Sequence, residues 1–362
     1  MDLSDWMKLT YGMQANFYRT AASQSGANWG DAMPYERLKD EDGNPVYQYF
    51  YNEEWAKELE ETDGVKSLGY NALEESTKNM AVTNNTYLKL FTHADFKIIE
   101  GLDLGLKFQY EKKFSDTKQF DEEDSYKMRV LINKFAQKNQ YNTLDYYLPE
   151  GGHMSLVQGR EEFYNFRAQL NYHKMFGDKH DLTALLGGEI RQDWSKSSTE
   201  ERYGYDEKKL TYQQVDWATL AKGITGLLSS TSQTLSENLS ISDVKHRYVS
   251  AYANVGYTYD DRYMANASVR MEQADLFGTD PKYRYRPLWS LGVSWNIYRE
   301  SFMANAEWMD MLKLRVTYGI TGNVDQSSTP YLIGFVANWQ GYDYTTINTP
   351  PNPKLRWEKT ST

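Results

Sequence analysis

Apolar residues recur at every second position over runs of about ten residues, again and again along the chain. No other feature constrains the fold as much, because a period of two gives a strand with one apolar face and one polar face. Residues 254–270, "NVGYTYDDRYMANASVR", show it plainly. Val255, Tyr257, Tyr259, Tyr263, Ala265, Ala267 and Val269 form one strip, and Asn254, Gly256, Thr258, Met264, Asn266, Ser268 and Arg270 form the other. Asp260–Asp261 reads as the turn between two strands. Leu9–Phe17, Leu102–Tyr110, Glu162–Tyr172, Tyr283–Ile297 and Leu312–Tyr318 repeat the pattern, and Leu182–Arg191 does so more weakly. The predicted strands run about 10–15 residues, against a usual mode of about 5–6.

A strand with one apolar face suits a soluble sandwich or a membrane barrel. The connections separate the two. "IIEGLD", "MFGDKHD" and "YDDRY" are short turns, and Tyr298–Asp310 is a modest one. Between them lie long polar stretches near 19–86, 116–160 and 196–243, then shorter ones near 274–282 and 322–354. Short and long connections alternate strictly, as in an up-and-down outer-membrane barrel with short turns at one end and long loops at the other. The expected fold is all-β: a section of an antiparallel up-and-down membrane β-barrel, about ten strands in an open curved sheet. Helical turns are expected in "NEEWAKELEET" and "ATLAKGITGLLSS".

Composition agrees. Aromatics make up 15% of the 362 residues, with 30 Tyr and 10 Trp. Rings at Tyr257, Tyr259, Tyr263, Trp295 and Tyr298 fall at strand ends, where a membrane interface favours them. Mean hydropathy is −0.75. No apolar run is long enough for a membrane-spanning helix, but alternation hides a barrel from that average. The polar strips carry Lys107, Glu189, Arg191, Arg270, Glu272, Arg284, Arg286, Lys313 and Arg315. A net charge of −10 argues against nucleic acid as a partner. There is no Cys, hence no disulfide and no thiolate chemistry. "MDLSDWMKLTYG" shows no leader peptide, and "LRWEKTST" stops inside an apparent strand, so a fragment of a longer chain is expected.

Catalytic and metal signals are weak. His93, His153, His173, His180 and His246 form no ligand spacing. "DEEDS" at 121–125 lacks the pattern of a calcium loop and reads as a solvated acidic face. "YGITGN" and "GGEIR" lack the strand-to-helix context of a phosphate loop. No cofactor and no enzymatic activity are expected. The candidate ligand contacts are aromatic side chains in the long connections: Trp29, Tyr35, Trp55, Trp217, Trp339 and Tyr342, with Tyr344 beside them.

Six phrases, in order, carry a family resemblance: "MPYERLKDEDGNP" (33–45), "HDLTALLGGEIRQD" (180–193), "YDDRYMANASVR" (259–270), "FGTDPKYRYRPLWSLGVSWNIYRESFM" (277–303), "LKLRVTYGITGN" (312–323) and "NPKLRWEKT" (352–360). Together they resemble the SusC/RagA family of TonB-linked outer-membrane transporters of Bacteroidetes. The resemblance implies a plugged barrel of about 22 strands, of which residues 1–362 would be the central part, without plug domain or C-terminal strands. It also implies import of oligosaccharides or peptides, a SusD-like surface lipoprotein over the mouth, energy from TonB, and outer-membrane lipid around the wall. "MEQADLFG" after "ASVR" departs from the family's usual Asp-Gly-Ser loop tip. The rival expectation is a secreted β-sheet binding or adhesion module without transport.

Overall fold

The computed structural model describes residues 2–24, 37–275, 287–305, 308–322, 330–339, 342–355 and 358–362. The strands begin with β1 (Asp2–Ser4), β2 (Met7–Ser23), β3 (Gln48–Tyr49), β4 (Gly69–Tyr70), β5 (Asn79–Ile99), β6 (Leu102–Asp121), β7 (Ala136–Lys138) and β8 (Leu144–Tyr146). They continue with β9 (Gly152–Phe176), β10 (His180–Tyr205), β11 (Leu239–Tyr259), β12 (Tyr263–Ala274), β13 (Leu288–Asn296), β14 (Lys313–Thr321), β15 (Ile333–Trp339), β16 (Tyr342–Thr349) and β17 (Thr360–Ser361). Among the described residues four α-helices lie between strands, α1 (Glu53–Glu60), α2 (Ala72–Lys78), α3 (Tyr126–Lys134) and α4 (Trp217–Lys222), with two short 3-10 turns at Ile297–Arg299 and Ser301–Met303.

Eleven strands form one sheet in the order β1-β2-β5-β6-β9-β10-β11-β12-β13-β14-β17. All neighbours are antiparallel, and each long strand lies beside the next. The edges are stubs, β1 of three residues and β17 of two. Among the described residues the first and last strands do not pair, so the sheet is open. β15 and β16 form a separate hairpin inside the stretch expected as a loop. The strand expected from Tyr283 is described from Leu288 onward, and Arg284 and Arg286 lie outside the described residues.

The strands are longer than alternation indicates. β5, β6, β9, β10 and β11 span 21, 20, 25, 26 and 21 residues. Beyond Arg191, β10 runs on through "QDWSKSSTEERYGY", in unbroken register with β9 as far as Tyr203 opposite His153, after which a bulge brings Tyr205 opposite Gly152. The ladder needs only backbone donors and acceptors. Alternation is required only where one face must avoid water, so it marks a part of each strand.

Register converts the strips into faces. Phe96, Leu104, Leu170, Leu186, Ala253, Val269, Trp289 and Ile320 lie side by side across eight strands. The next row is Leu102, Tyr172, Ala184, Val255, Ala267, Leu291 and Tyr318. Among the described residues this face is left open: Leu186, and Val293 and Val316 in a further row, are 59%, 58% and 59% exposed. On β10 the apolar positions run from Leu182 to Ile190. That is about 27 Å along a strand at roughly 3.3 Å per residue. A tilt of about 40° brings it to about 20 Å, near the height of a lipid-facing band once flanking rings are added.

The buried core lies elsewhere. Met128, Ile132, Phe135, Leu148, Tyr203, Leu220 and Ile224 cluster among the long connections. Each helix there starts on a side-chain cap that satisfies early N–H groups. Asn52 accepts from Trp55 N, Asn71 from Leu73 N, Ser125 from Met128 N and Asp216 from Thr219 N. Polar bonds stitch the connections together. Lys66 N donates to Asn133 Oδ1 (2.9 Å) and Asn133 Nδ2 donates back to Lys66 O (2.6 Å). Gln137 Nε2 donates to Thr225 O (2.9 Å), and Tyr146 OH to Gly64 O (2.6 Å).

Candidate functional site

The sheet's polar face and the loop core above it form the candidate site. Odd-numbered residues of β5, β6, β9 and β10 and even-numbered residues of β11 and β12 share that face by register. One row reads His93, Lys107, Arg167, Glu189, Ser250, Glu272. Its charges are mostly neutralised in place. Arg167 grips Glu189 through Nη2 (2.7 Å) and Nε (3.0 Å), and Asn165 Nδ2 donates to the same carboxylate (2.8 Å). His93 meets Asp95 (2.7 Å), Lys89 meets Glu111 (3.5 Å), and Arg270 pairs with Glu272. Neighbouring hydroxyls and amides join in: Ser268 with Ser290 at 2.7 Å, and Gln109 Nε2 to Glu111 at 2.6 Å.

Glycine gives this wall its relief. A Cβ at Gly187 would run into the Tyr252 ring. Because it is absent, the ring lies across β10 and its hydroxyl donates to Gln169 on β9 (3.0 Å). Toward the turn end, Thr183, Gly256, Asn266, Gly292, Arg315 and Thr317 line a cavity of about 270 Å³. Lys107 and Arg315 have no ion-pair partner among the described residues. Such a wall offers exchangeable hydrogen bonds and paired charges to a hydrated polar solute. Among the described residues no group of three or more His, Asp or Glu is placed for a metal.

The loop core is anchored to the same face. His153 Nδ1 lies 2.8 Å from Asp121 Oδ2, and Lys127 of α3 reaches the same oxygen. Burial pushes the Asp121 carboxyl up, but the bonds from His153 and Lys127 outweigh it and hold it below the ordinary range. Glu75 accepts from Tyr126 N (2.9 Å) and from Arg129 (3.3 Å), tying α2 to α3. Burial pushes the Tyr126 phenol up to about 12. "DEEDS", expected to be a solvated face, therefore starts with a buried anchor and ends with the Ser125 cap of α3. Only its middle residues match the expectation. α2 and α3 were not expected at all.

The expected ligand aromatics are scattered. Trp55 sits on α1, 38% exposed, with its ring 5.8 Å from Tyr51. Trp217 opens α4 and meets Tyr203 edge-on at 5.8 Å, packed against the loop core. Trp339 and Tyr342 are backbone register partners at the end of the β15–β16 hairpin. Trp29 and Tyr35 lie outside the described residues. The structure does not bring Trp55 and Trp217 together.

The turn end carries the expected ring belt. Tyr259, Tyr263 and Trp295 stack at 6.4 and 6.3 Å. Glu300 ties the belt, accepting from Tyr263 OH (2.6 Å) and Trp295 Nε1 (2.9 Å) while meeting Arg262 at 3.3 Å. Glu300 had no alternation to reveal it, since it sits in the turn after β13.

A family model described as "TonB dependent receptor-like, beta-barrel" matches residues 46–362. A TonB-dependent receptor of Formosa agariphila is 28% identical over 237 residues, 63% of this chain and 22% of the relative. The TonB-dependent receptor SusC of Bacteroides thetaiotaomicron is 28% identical over 207 residues, 55% of this chain and 18% of that protein. The chain thus spans about a fifth of the length of these relatives. Among solved structures, the RagAB peptide importer in its closed-closed state superposes over 99% of this chain and 36% of its own, with a TM-score of 0.72 and 20% identity. Its open-open state gives a TM-score of 0.70 at 19% identity.

Proposed function

Since this chain belongs to the TonB-dependent receptor β-barrel family, we propose that it forms part of the wall of an outer-membrane importer for oligomeric nutrients, either glycans or peptides. The observation that carries this reading is the division of one sheet into two faces. Continuous apolar rows face one way, exposed among the described residues. Paired charges, amides and hydroxyls face the other, with the folded loop core above them. A wall of this kind meets lipid outside and a hydrated path inside.

Energy would come from TonB, and a SusD-like surface lipoprotein would cap the loop end. The likeness to SusC and RagAB supports that partnership. The candidate substrate contacts remain the loop aromatics Trp29, Tyr35, Trp55, Trp217, Trp339 and Tyr342. Trp55 is the exposed one among those whose side chains are described. The polar wall would supply transient hydrogen bonds as the solute passes.

Deletion of the full-length gene, complemented with or without an intact TonB system, tests the reading. Uptake of labelled oligosaccharides and oligopeptides is measured, and TonB-dependent uptake of one class is expected. No uptake of either class, together with a native protein that is freely soluble, would favour a binding or adhesion module instead.

A further inference from the structure

Just above the apolar band, on the same outward face, the sheet changes character. The row after Ile190 and Val249 pairs Gln192 with Arg247, and the next sets Glu162, Trp194 and Lys245 side by side. The third row sets Arg160 directly opposite Lys196. Like charges opposite each other on neighbouring strands are destabilising unless something anionic lies between them. Three acids are close by, and each is engaged: Glu162, Asp243, which stands directly opposite Lys196 on β11, and Asp275, which meets Arg247 N (3.2 Å) and His246 (3.3 Å). Glu162 accepts from Arg160 Nε (2.9 Å) and meets Lys112 (3.3 Å), while Asp243 accepts from Trp194 Nε1 (2.6 Å).

Lys196, Lys245 and Arg247 are exposed and have no ion-pair partner among the described residues. The Arg247 side chain donates to the neutral Gln192 (3.0 Å), while its backbone N–H donates to the Asp275 carboxylate (3.2 Å). Trp194 holds the strip in place, with Arg160 5.3 Å and Lys245 5.2 Å from its ring. This excess of cations stands on a chain of net charge −10 and continues directly from the apolar band. Arginine and lysine at that height suit anionic head groups.

We infer that Arg160, Lys196, Lys245 and Arg247, arranged around Trp194, form a head-group site for a phosphate-bearing anionic lipid of the loop-side leaflet. This rests on the membrane placement proposed above. The acyl chains run down the apolar rows below Ile190, and the phosphate fills the gap between Arg160 and Lys196. Lipid binding is read without any uptake assay, so failure of this site and failure of the import reading are distinguishable.

The test uses the full-length protein in a neutral detergent, titrated with phosphatidylglycerol, phosphatidylcholine or inorganic phosphate, with bound species counted by native mass spectrometry. Phosphatidylglycerol is expected to bind, and the triple variant Lys196→Gln/Lys245→Gln/Arg247→Gln to weaken it on the order of 100-fold, at roughly fivefold per cation. The charge-keeping variant Lys196→Arg/Lys245→Arg/Arg247→Lys and the distant control Lys57→Gln/Lys209→Gln should bind as the unaltered protein does. Heat-modifiable mobility confirms that each variant is folded. If the neutral triple variant does not fold, Lys245→Gln and Arg247→Gln alone should each cost roughly fivefold. Unchanged affinity in folded neutral variants, or equal binding of phosphatidylcholine or of inorganic phosphate, would overturn the proposal.

Discussion

Asp260 and Asp261 both adopt left-handed backbone, at φ of 52° and 53°. Arg262 N donates to Tyr259 O at 2.9 Å across them. Two consecutive positive-φ residues make the hairpin turn whose twist matches the flanking strands, and Asp tolerates that region as few residues do. Asp261→Val should therefore destabilise the hairpin by about 1–2 kcal/mol, and Asp261→Gly by less. Thermal unfolding of the full-length protein in detergent would show the difference. Asp121 supports a second prediction. Its folded carboxyl titrates below the ordinary value of 3.8, so its stabilisation is fully present above that value and is lost as pH falls through the lower folded one. Hydrogen exchange in residues 122–151 should accelerate in that acidic window, and Asp121→Asn should flatten the dependence. The turn was legible because Asp–Asp between two alternating strips allows little else. The Asp121–His153 anchor was not, because its partners are 32 positions apart and neither lies in a patterned stretch.

At the scale of elements, the strands divide into a lipid-facing part and a wet part. Leu186 lies mid-row on the apolar face, and Asn254, in the adjacent register pair with Leu185, lies on the polar face. Leu186→Arg should cost about 2–4 kcal/mol in a bilayer, while Asn254→Arg should leave folding nearly unchanged. Urea unfolding in lipid vesicles measures both. The loop core behaves as an ordinary soluble interior. Ile132 is fully buried there, so Ile132→Ala should cost about 2–5 kcal/mol. Exchange should then loosen through α3 and α4 and leave the β5–β11 ladder protected. The alternating segments were legible because the apolar face imposes a period of two. The wet halves of β9 and β10 were not, because water on both faces imposes none. α1 could be read from Asn52 and two following acids, whereas α3 starts within an acidic run that resembles a loop.

For the whole molecule, the open order of strands, the two unlike faces and the off-sheet core form one arrangement. A soluble sandwich would bury its apolar face against a second sheet; here the apolar rows remain bare and the hydrophobic core sits in the loops. Alternating short and long connections already pointed to this up-and-down order. The folding of the long connections into a common core was hidden, because it depends on contacts such as Asn133 with Lys66 across 67 positions. The central claim is that the apolar face meets lipid and the polar face meets water. Residues 1–362 contain no Cys, so in a full-length protein whose other cysteines are replaced, single cysteines can be placed at each position from Leu182 to Arg191 and studied in the native membrane. Reaction with a charged, water-soluble maleimide is then measured along β10. Labelling should follow a period of two, with 183, 185, 187, 189 and 191 labelled and 182, 184, 186, 188 and 190 protected. Equal labelling at both parities would contradict it.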